Sequence, residues 1–199
     1  MTNGDIDLTC PVRHSDTRRI QLAHGGGGRA MARLLDDIIR PAFNDPLLDL
    51  RHDGATLQLE GPVAFTTDSY VVDPLVFPGG DIGRLAVCGT VNDLAVGGAV
   101  PLHLACAVII EEGLPVELLQ RIAASMARTA AEAGVQIVTG DTKVVPKGAC
   151  DKLFVTTTGI GVVRRGLSLG AGRARPGDVV LVNGMLGDHG AAILAARGE

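Results

Sequence analysis

A run of four glycines is the first feature of this sequence that could do chemistry. It lies between His24 and Arg29, and its members are Gly25, Gly26, Gly27 and Gly28. Glycine adopts positive φ angles without strain, so successive backbone N–H groups in such a run can point at one anion. Arg29 could add a bidentate contact to the same anion. The run predicts a phosphate-binding loop, with a flexible connector as the alternative and with His24 either at the ligand or orienting the turn.

Three aspartates border apolar segments, where an unpaired carboxylate is expensive. Asp68 follows the predicted strand 63–67, Asp93 follows Asn92 inside a stretch of small residues, and Asp141 follows residues 137–140. Carboxylates that converge suit Mg²⁺, which takes oxygen ligands and keeps positions free for phosphates. The three aspartates therefore predict a magnesium site. Capping of a turn is the alternative for Asp68 and Asp141, and pairing with a cation is the alternative for Asp93.

Two further charged residues are candidates for a catalytic role. Lys143 lies two positions after Asp141, so on an extended segment both side chains point to the same side and could meet the same phosphates. The alternative for Lys143 is a solvated side chain paired with Asp141. Glu111 follows an apolar run and could act as a base or a metal ligand, although such a glutamate also marks a strand leaving the core.

The elements that must position these residues alternate between strands and helices. Asp81 and Asp188 are expected helix caps, and Gly134 is expected to end a helix. We expect Pro41 and the following segment Asn44-Asp45-Pro46 to end the helix that follows the glycine run, because proline lacks the backbone donor. The predicted strands cover residues 20–23, 56–59, 63–67, 102–110, 136–139, 153–163 and 179–182, and the predicted helices cover 31–39, 82–96, 116–133 and 188–196.

Four regions are expected along the chain. Residues 1–19 carry mixed charge without apolar periodicity and are interpreted as a loose arm, while 20–163 form one domain. Residues 164–178 contain four arginines and four glycines and are interpreted as a solvated linker. Residues 179–199 supply one strand and one helix, which cannot close a core alone, so we expect the start of a second domain.

Composition excludes several classes of protein. The 199 residues include 27 glycines, hydrophobic residues reach 46%, and the net charge is −4. So much apolar surface excludes disorder, and an acidic chain is atypical of nucleic-acid binding. The longest apolar run, 104–110, is too short to cross a bilayer, and the N-terminus does not look like a signal peptide. Four cysteines without a C-x-x-C pair favour reduced thiols and a cytoplasmic location.

Three blocks of sequence carry a resemblance to a known family. They are HGGGGRAM at 24–31, the long block FTTDSYVVDPLVFPGGDIGRLAVCGTVNDLAVGGA at 65–99, and GDTKVV at 140–145. The chain resembles the HypE family of hydrogenase maturation factors and, more broadly, the ATP-using superfamily of aminoimidazole ribonucleotide synthetase, selenophosphate synthetase and thiamine-monophosphate kinase. The resemblance implies a two-domain α/β fold with a mixed, largely antiparallel sheet. It also implies a homodimer in which strands of two protomers form a shared barrel.

The same resemblance implies a site for ATP and Mg²⁺. The groove would be lined by the glycine loop, and Asn92 and Thr142 would contribute to nucleotide binding. The implied metal ligands are Asp68, Asp93 and Asp141. Lys143 would neutralise charge on the transferred phosphoryl group, and Glu111 would take up a proton.

For the whole family member, the resemblance implies dehydration of a cysteine-linked thiocarboxamide to a thiocyanate, which supplies the cyanide ligand of nickel–iron hydrogenase. The implied partners are a HypF-type carbamoyltransferase and an iron-bearing HypC–HypD complex. Family members end in a cysteine, whereas this chain ends at Glu199. We therefore expect a fragment that binds nucleotide or dimerises without completing a turnover. The alternatives are another kinase or synthetase of the superfamily and a non-catalytic dimerisation module.

Overall fold

A computed structural model describes residues 18–198 of the chain. Its strands are β1 (Val63–Tyr70), β2 (Val76–Phe77), β3 (Gly80–Asp81), β4 (Ala99–Glu111), β5 (Gln136–Val145) and β6 (Leu153–Val163). Its α-helices are α1 (Arg29–Leu34), α2 (Arg40–Phe43), α3 (Pro46–Asp49), α4 (Ile82–Val96), α5 (Val116–Ala133) and α6 (Asp188–Arg197). Short 3₁₀ turns cover Leu22–Gly25 and Ala171–Arg173, and a π-turn covers Leu35–Ile39.

Four long strands form one mixed sheet in the order β1-β6-β4-β5. The β1–β6 and β6–β4 pairs are antiparallel, whereas β4 and β5 run parallel. The parallel pair follows from the connection, because α5 carries the chain back across the sheet before β5 begins. The expectation of a mixed, largely antiparallel sheet packed with helices is confirmed.

One face of the sheet packs on α4 and α5, and the core lies between them. Ile82 and Val87 of α4 and Ile122 of α5 are buried against Leu104, Ile110, Leu153 and Val155 of the strands. The opposite face carries exposed side chains, among them Phe65 of β1 and Ile109 of β4. Side chains alternate between these two faces along each strand, so every second residue of the four strands belongs to the open face.

The two long helices begin and end where the sequence predicts. Asp81 caps α4, since its carboxylate accepts the N–H of Arg84 at 2.9 Å. Gly134 ends α5 in the left-handed conformation, with φ at 69°. Asp188 is the first residue of α6 rather than its cap, because Gly187 occupies the N-cap position.

The segment before the sheet differs from the prediction. Residues 20–23 form no strand. Ile20 exchanges backbone hydrogen bonds with Leu114 and Gly113, and the chain then turns into the 3₁₀ turn. The next helical stretch also continues through Pro41 to Phe43. A π-turn precedes the proline and accommodates the steric conflict and lost hydrogen bond that proline creates in a regular α-helix.

Two other predicted strands are absent from the described residues. Residues 56–59 have no regular structure, and neither do residues 179–182, in which Leu181 is 89% exposed. An apolar β-pattern forms a strand only against a neighbouring strand, and none lies beside this segment within 18–198. Helix α6 nevertheless contacts the domain. Its His189 ring meets Phe77 at 5.3 Å, and Arg197 donates to the carbonyl of Asp73.

The predicted loose arm lies almost wholly outside the described residues, but Arg18 and Arg19 are already tied to the domain. Arg19 pairs with Pro115, and the carbonyl of Arg18 accepts the N–H of Val116. Across residues 18–198, none of the helices has the length and apolar character that crossing a membrane requires. The described cysteines Cys88, Cys106 and Cys150 are free thiols, and burial raises the pKa of Cys106 to about 12.

Candidate functional site

The glycine run forms an open turn against strand β5. Gly25 lies directly on the backbone of Val144, where a Cβ atom would come within 2.6 Å of the Val144 nitrogen. Gly27 adopts a positive φ of 73°, and Gly28 caps α1. Cβ atoms built at positions 27 and 28 would meet nothing within 4 Å, and one at position 26 would meet only the carbonyl oxygen of Ala23, at 3.8 Å. The loop is therefore anchored at one end and accessible along the other three glycines, as a backbone anion site requires.

His24 holds the turn rather than facing outward. Its Nδ1 accepts the backbone N–H of Gln21 at 2.9 Å, which folds the imidazole back onto the start of the 3₁₀ turn. A second hydrogen bond joins the turn to the residue that follows β4, since the N–H of Leu22 donates to the carboxylate of Glu112 at 3.4 Å. Of the two roles considered for His24, the geometry favours orienting the glycine turn.

Asp141 and Lys143 lie on β5 beside the glycine turn. Asp141 accepts the N–H of Thr142 at 2.8 Å, and the ammonium of Lys143 lies 3.3 Å from its carboxylate. Both side chains are about 60% exposed, at 60% for Asp141 and 62% for Lys143, so the pair contributes little to stability. Gly25 lies against the backbone of Val144, the residue after Lys143, so the glycine turn is next to the ion pair along β5. Thr142 is buried on the helix side.

Asp68 and Asp93 form a second group at the junction of β1 and α4. The hydroxyl of Thr66 donates to Asp93 at 3.0 Å, and Asp68 accepts the N–H of Ser69 at 2.9 Å. Two residues beyond Asp68, Tyr70 contacts α4 through Thr90. Asp68 therefore lies between two β1–α4 contacts, on the same side of the strand as both. Asn92 is exposed next to Asp93 on α4.

Two causes raise the pKa of Tyr70 at this junction. Burial of the phenol is the larger, and the nearby carboxylate of Asp68 acts in the same direction, while the hydrogen bond to Thr90 opposes them. A negative charge close to the Tyr70 hydroxyl disfavours phenolate.

The two groups do not meet within one chain. Strands β1 and β5 are the outer strands of the sheet, three strand spacings apart, or roughly 14 Å. Within residues 18–198, no three His, Cys, Asp or Glu side chains form a group that could hold a metal ion. The expected convergence of all three aspartates is therefore not found in a single chain, because strand order separates Asp141 from the other two. Their individual roles as metal ligands stay predictions.

Glu111 ends β4, where it pairs with Val145 of β5, two residues beyond Lys143. Its carboxylate accepts the N–H of Gly148 and so closes the loop between β5 and β6. Burial raises the pKa of Cys150 in that loop, and Glu111 adds to the rise. The Glu111 carboxylate therefore holds the loop between β5 and β6 in place. Its contacts do not support the predicted role in taking up a proton.

A cavity that the sequence did not predict lies behind Asp141. It has a volume of about 330 Å³ and lies between the helical stretch 29–43, α5 and the sheet. Its lining is largely apolar, and at its mouth Asp36 binds Arg40 at 3.1 Å and Arg51 at 3.3 Å. No local pattern marks it, since it arises where separate elements fail to close on one another. It gives the β5 side of the site an apolar wall.

Comparison with known proteins adds independent findings. Residues 51–163 match the family of AIR synthase related proteins, N-terminal domain. The chain is 61% identical over 184 residues to the carbamoyl dehydratase HypE of Rhodobacter capsulatus, covering 91% of this chain and 54% of that protein. It spans about half the length of the curated relatives it matches.

Solved structures similar to this fold include two of HypE proteins. A crystal structure of hydrogenase maturation protein HypE in complex with ATP superposes with a TM-score of 0.87 at 55% identity, covering 89% of this chain and 53% of that one. A crystal structure of a HypE–HypF complex gives a TM-score of 0.68 at 52% identity, with coverage of 83% and 53%. The site and the comparisons thus point to the same kind of protein.

Proposed function

Because the chain belongs to the family of AIR synthase related proteins through its N-terminal domain, we propose that it binds ATP with Mg²⁺ in the cytoplasm. This binding would serve the reaction of the HypE type, in which a cysteine-linked thiocarboxamide is dehydrated to a thiocyanate. The observation that carries the proposal is the glycine turn, anchored at Gly25 and open from Gly26 to Gly28, beside Asp141 and Lys143. The superposition on HypE with bound ATP supports the choice of nucleotide.

The acidic residues suit Mg²⁺ even though they form two groups. This ion is usually held by one or two carboxylates together with substrate phosphates and water, so a cage of three carboxylates is unnecessary. Asp68 with Asp93 offers one such pair, and Asp141 offers a single carboxylate. Each carboxylate accepts a hydrogen bond from the protein and is exposed, which leaves oxygen lone pairs for a cation.

Dehydration of the amide requires that its oxygen be converted into a good leaving group. ATP supplies it by phosphorylating that oxygen; loss of phosphate and of both amide protons then leaves the nitrile, with ADP and phosphate as products. Lys143 would neutralise negative charge on the phosphates, and the glycine N–H groups would orient them. Excluding water from the phosphorylated oxygen would limit hydrolysis.

The partners follow from the same proposal. A HypF-type protein would deliver the carbamoyl group, and the complex of HypE with HypF supports that assignment. A HypC–HypD-type complex would receive the cyanide on its iron. Thiamine-monophosphate kinase-type or synthetase-type chemistry is the competing proposal, and it requires a free small-molecule substrate in place of a protein-bound cysteine.

The proposal is tested by titrating the chain with ATP in a calorimeter, with and without Mg²⁺. We expect saturable binding that strengthens at least tenfold when Mg²⁺ is present. Lys143→Gln should weaken binding about tenfold, because one charge-assisted contact to the phosphates is lost. Lys147→Gln, an exposed lysine in the following loop, is the matched control. Equal binding by wild type and Lys143→Gln would contradict the phosphate-binding role of this end of β5.

We also propose that the chain forms a homodimer through the open face of the sheet. Phe65 is 68% exposed there, and Val63 and Ile109 lie on the same face with 50% and 41% exposed. An exposed apolar sheet face of this kind is typical of a protein–protein interface. Two copies packed face to face about a two-fold axis would bury this surface on both chains. Closing two sheets into a barrel also brings the edge strands of the copies side by side, so the two groups of aspartates need not meet within one chain.

Phe65→Asp is expected to convert the dimer into a monomer. A carboxylate buried in an apolar interface without a partner is costly enough to break it. Sedimentation velocity measures the change directly. Val180→Asp is the control, because Val180 is 88% exposed but lies outside the sheet. A Phe65→Asp chain that sediments as a dimer would rule out this face as the interface.

A further inference from the structure

Three buried hydroxyl groups join β1, α4 and β6 beneath the β1–α4 junction. The Tyr70 hydroxyl lies 3.2 Å from that of Thr90, which lies 2.6 Å from the hydroxyl of Thr157. Thr157 donates in turn to the carbonyl of Ala86 in α4, at 3.0 Å. Tyr70 is 7% exposed and the two threonines are fully buried. Hydrogen bonds in so dry a setting are costly to break, so this chain of hydroxyls fixes the strand against the helix.

Gly89 allows the close approach on which this contact depends. A Cβ atom at position 89 would lie 2.2 Å from the Tyr70 hydroxyl and 3.0 Å from the ring. The phenol therefore rests on the backbone of α4, and only glycine leaves room for it.

Asp68 and Asp93, the two predicted metal ligands at the β1–α4 junction, lie close in sequence to the contact between Tyr70 and Gly89. Asp68 precedes Tyr70 by two residues and shares its side of β1. Asp93 follows Gly89 by four residues and Thr90 by three, so it lies on the same side of α4. A shift of Tyr70 against α4 would therefore change the separation of the two carboxylates.

We propose that Tyr70 is a positioning residue, whose hydroxyl, held by Thr90 and Thr157, sets the distance between Asp68 and Asp93 and thereby the affinity for Mg²⁺. The inference rests on the proposed binding of Mg²⁺ with ATP and assigns that site a supporting residue. Mg²⁺ demands near-ideal octahedral geometry at short range, so small displacements of its ligands weaken binding. Groups that orient metal ligands typically change metal affinity by 10- to 100-fold when they are removed.

The test measures ATP binding by calorimetry over a range of Mg²⁺ concentrations. Tyr70→Phe is expected to raise the half-saturating Mg²⁺ concentration about tenfold and to leave ATP affinity without Mg²⁺ unchanged. Gly89→Ala keeps the hydroxyl but displaces the ring, and it should raise the Mg²⁺ requirement in the same way. This second variant separates loss of position from loss of a polar group.

Thr129→Val is the matched control. It also removes one buried hydroxyl, which donates to the carbonyl of Ser125 within α5 at 2.9 Å, away from the junction. Urea unfolding of Tyr70→Phe and Thr129→Val shows whether the two variants lose similar free energy of unfolding. Of these two variants, we expect only Tyr70→Phe to raise the half-saturating Mg²⁺ concentration. If wild type shows Mg²⁺-dependent ATP binding and Tyr70→Phe matches Thr129→Val, the positioning role is overturned while the proposed function stands. If wild type binds no ATP, the proposed function itself fails.

Discussion

Gly140→Ala is expected to lower the free energy of unfolding by about 3 kcal/mol, near the upper end for an overpacked site. An added Cβ atom would lie 2.0 Å from the carbonyl oxygen of Cys106 and 3.1 Å from its carbonyl carbon. These are backbone atoms of the neighbouring strand β4, so no side-chain rotation can relieve the clash. Strands β4 and β5 would have to separate, and Asp141 would move with them. Urea unfolding followed by circular dichroism measures the loss.

Gly54→Ala is the control for this substitution. A Cβ atom at position 54 meets nothing within 4 Å and the backbone there needs no positive φ, so the change should stay within about 0.5 kcal/mol. Equal stability of the two variants would mean that β4 and β5 are not as close at Gly140 as described. The parallel register of this pair would then need revision.

Asp93→Asn is expected to weaken binding of ATP in the presence of Mg²⁺ about 100-fold, while binding without Mg²⁺ changes little. The amide keeps the shape of the carboxylate, and its oxygen can still accept the hydroxyl of Thr66. What it loses is the negative charge that a hard cation prefers in a ligand. Calorimetric titrations at two Mg²⁺ concentrations separate the metal effect from any direct effect on the nucleotide.

Asp49→Asn serves as the matched control, since Asp49 is exposed on α3 and lies outside both groups of site residues. It removes the same charge from the protein as a whole and should leave binding as in wild type. If Asp93→Asn binds Mg²⁺ and ATP as tightly as Asp49→Asn, the assignment of Asp93 as a metal ligand is wrong. The same pair of titrations applied to Asp141→Asn then tests the other edge of the sheet.

The sequence predicted those elements whose signals are local. Helix α5 begins after Pro115 and ends at Gly134 as expected, because the four-residue spacing of Leu118, Ile122, Met126 and Ala130 and the final glycine all lie within the element. Strand β6 was also predicted from end to end. The segment 179–182 has an equally clear strand pattern and forms none, since a strand depends on a neighbour that the pattern does not specify.

The sequence allowed the residues of the candidate site to be predicted, but not their positions relative to one another. Asp68, Asp93 and Asp141 each stand at the border of an apolar element, and that position can be seen in the sequence. Their division into two groups depends on strand order, which local patterns do not reveal. Tyr70 was missed for a related reason: its partners Thr90 and Thr157 are 20 and 87 residues away in the chain, and their contact depends on the packing of α4 on the sheet.

The π-turn at Leu35–Ile39 makes the helical stretch from Arg29 to Phe43 sensitive to its length. One residue turns an α-helix by about 100°, so deleting a residue within the π-turn would rotate everything before it relative to everything after it. The glycine turn is fixed to Val144 at one end of this stretch, and Arg40 is bound to the carbonyl of Leu48 at the other. Both attachments can be kept only if the residue count between them is kept. Among natural or designed variants, substitutions in this stretch should therefore be far better tolerated than single-residue insertions and deletions.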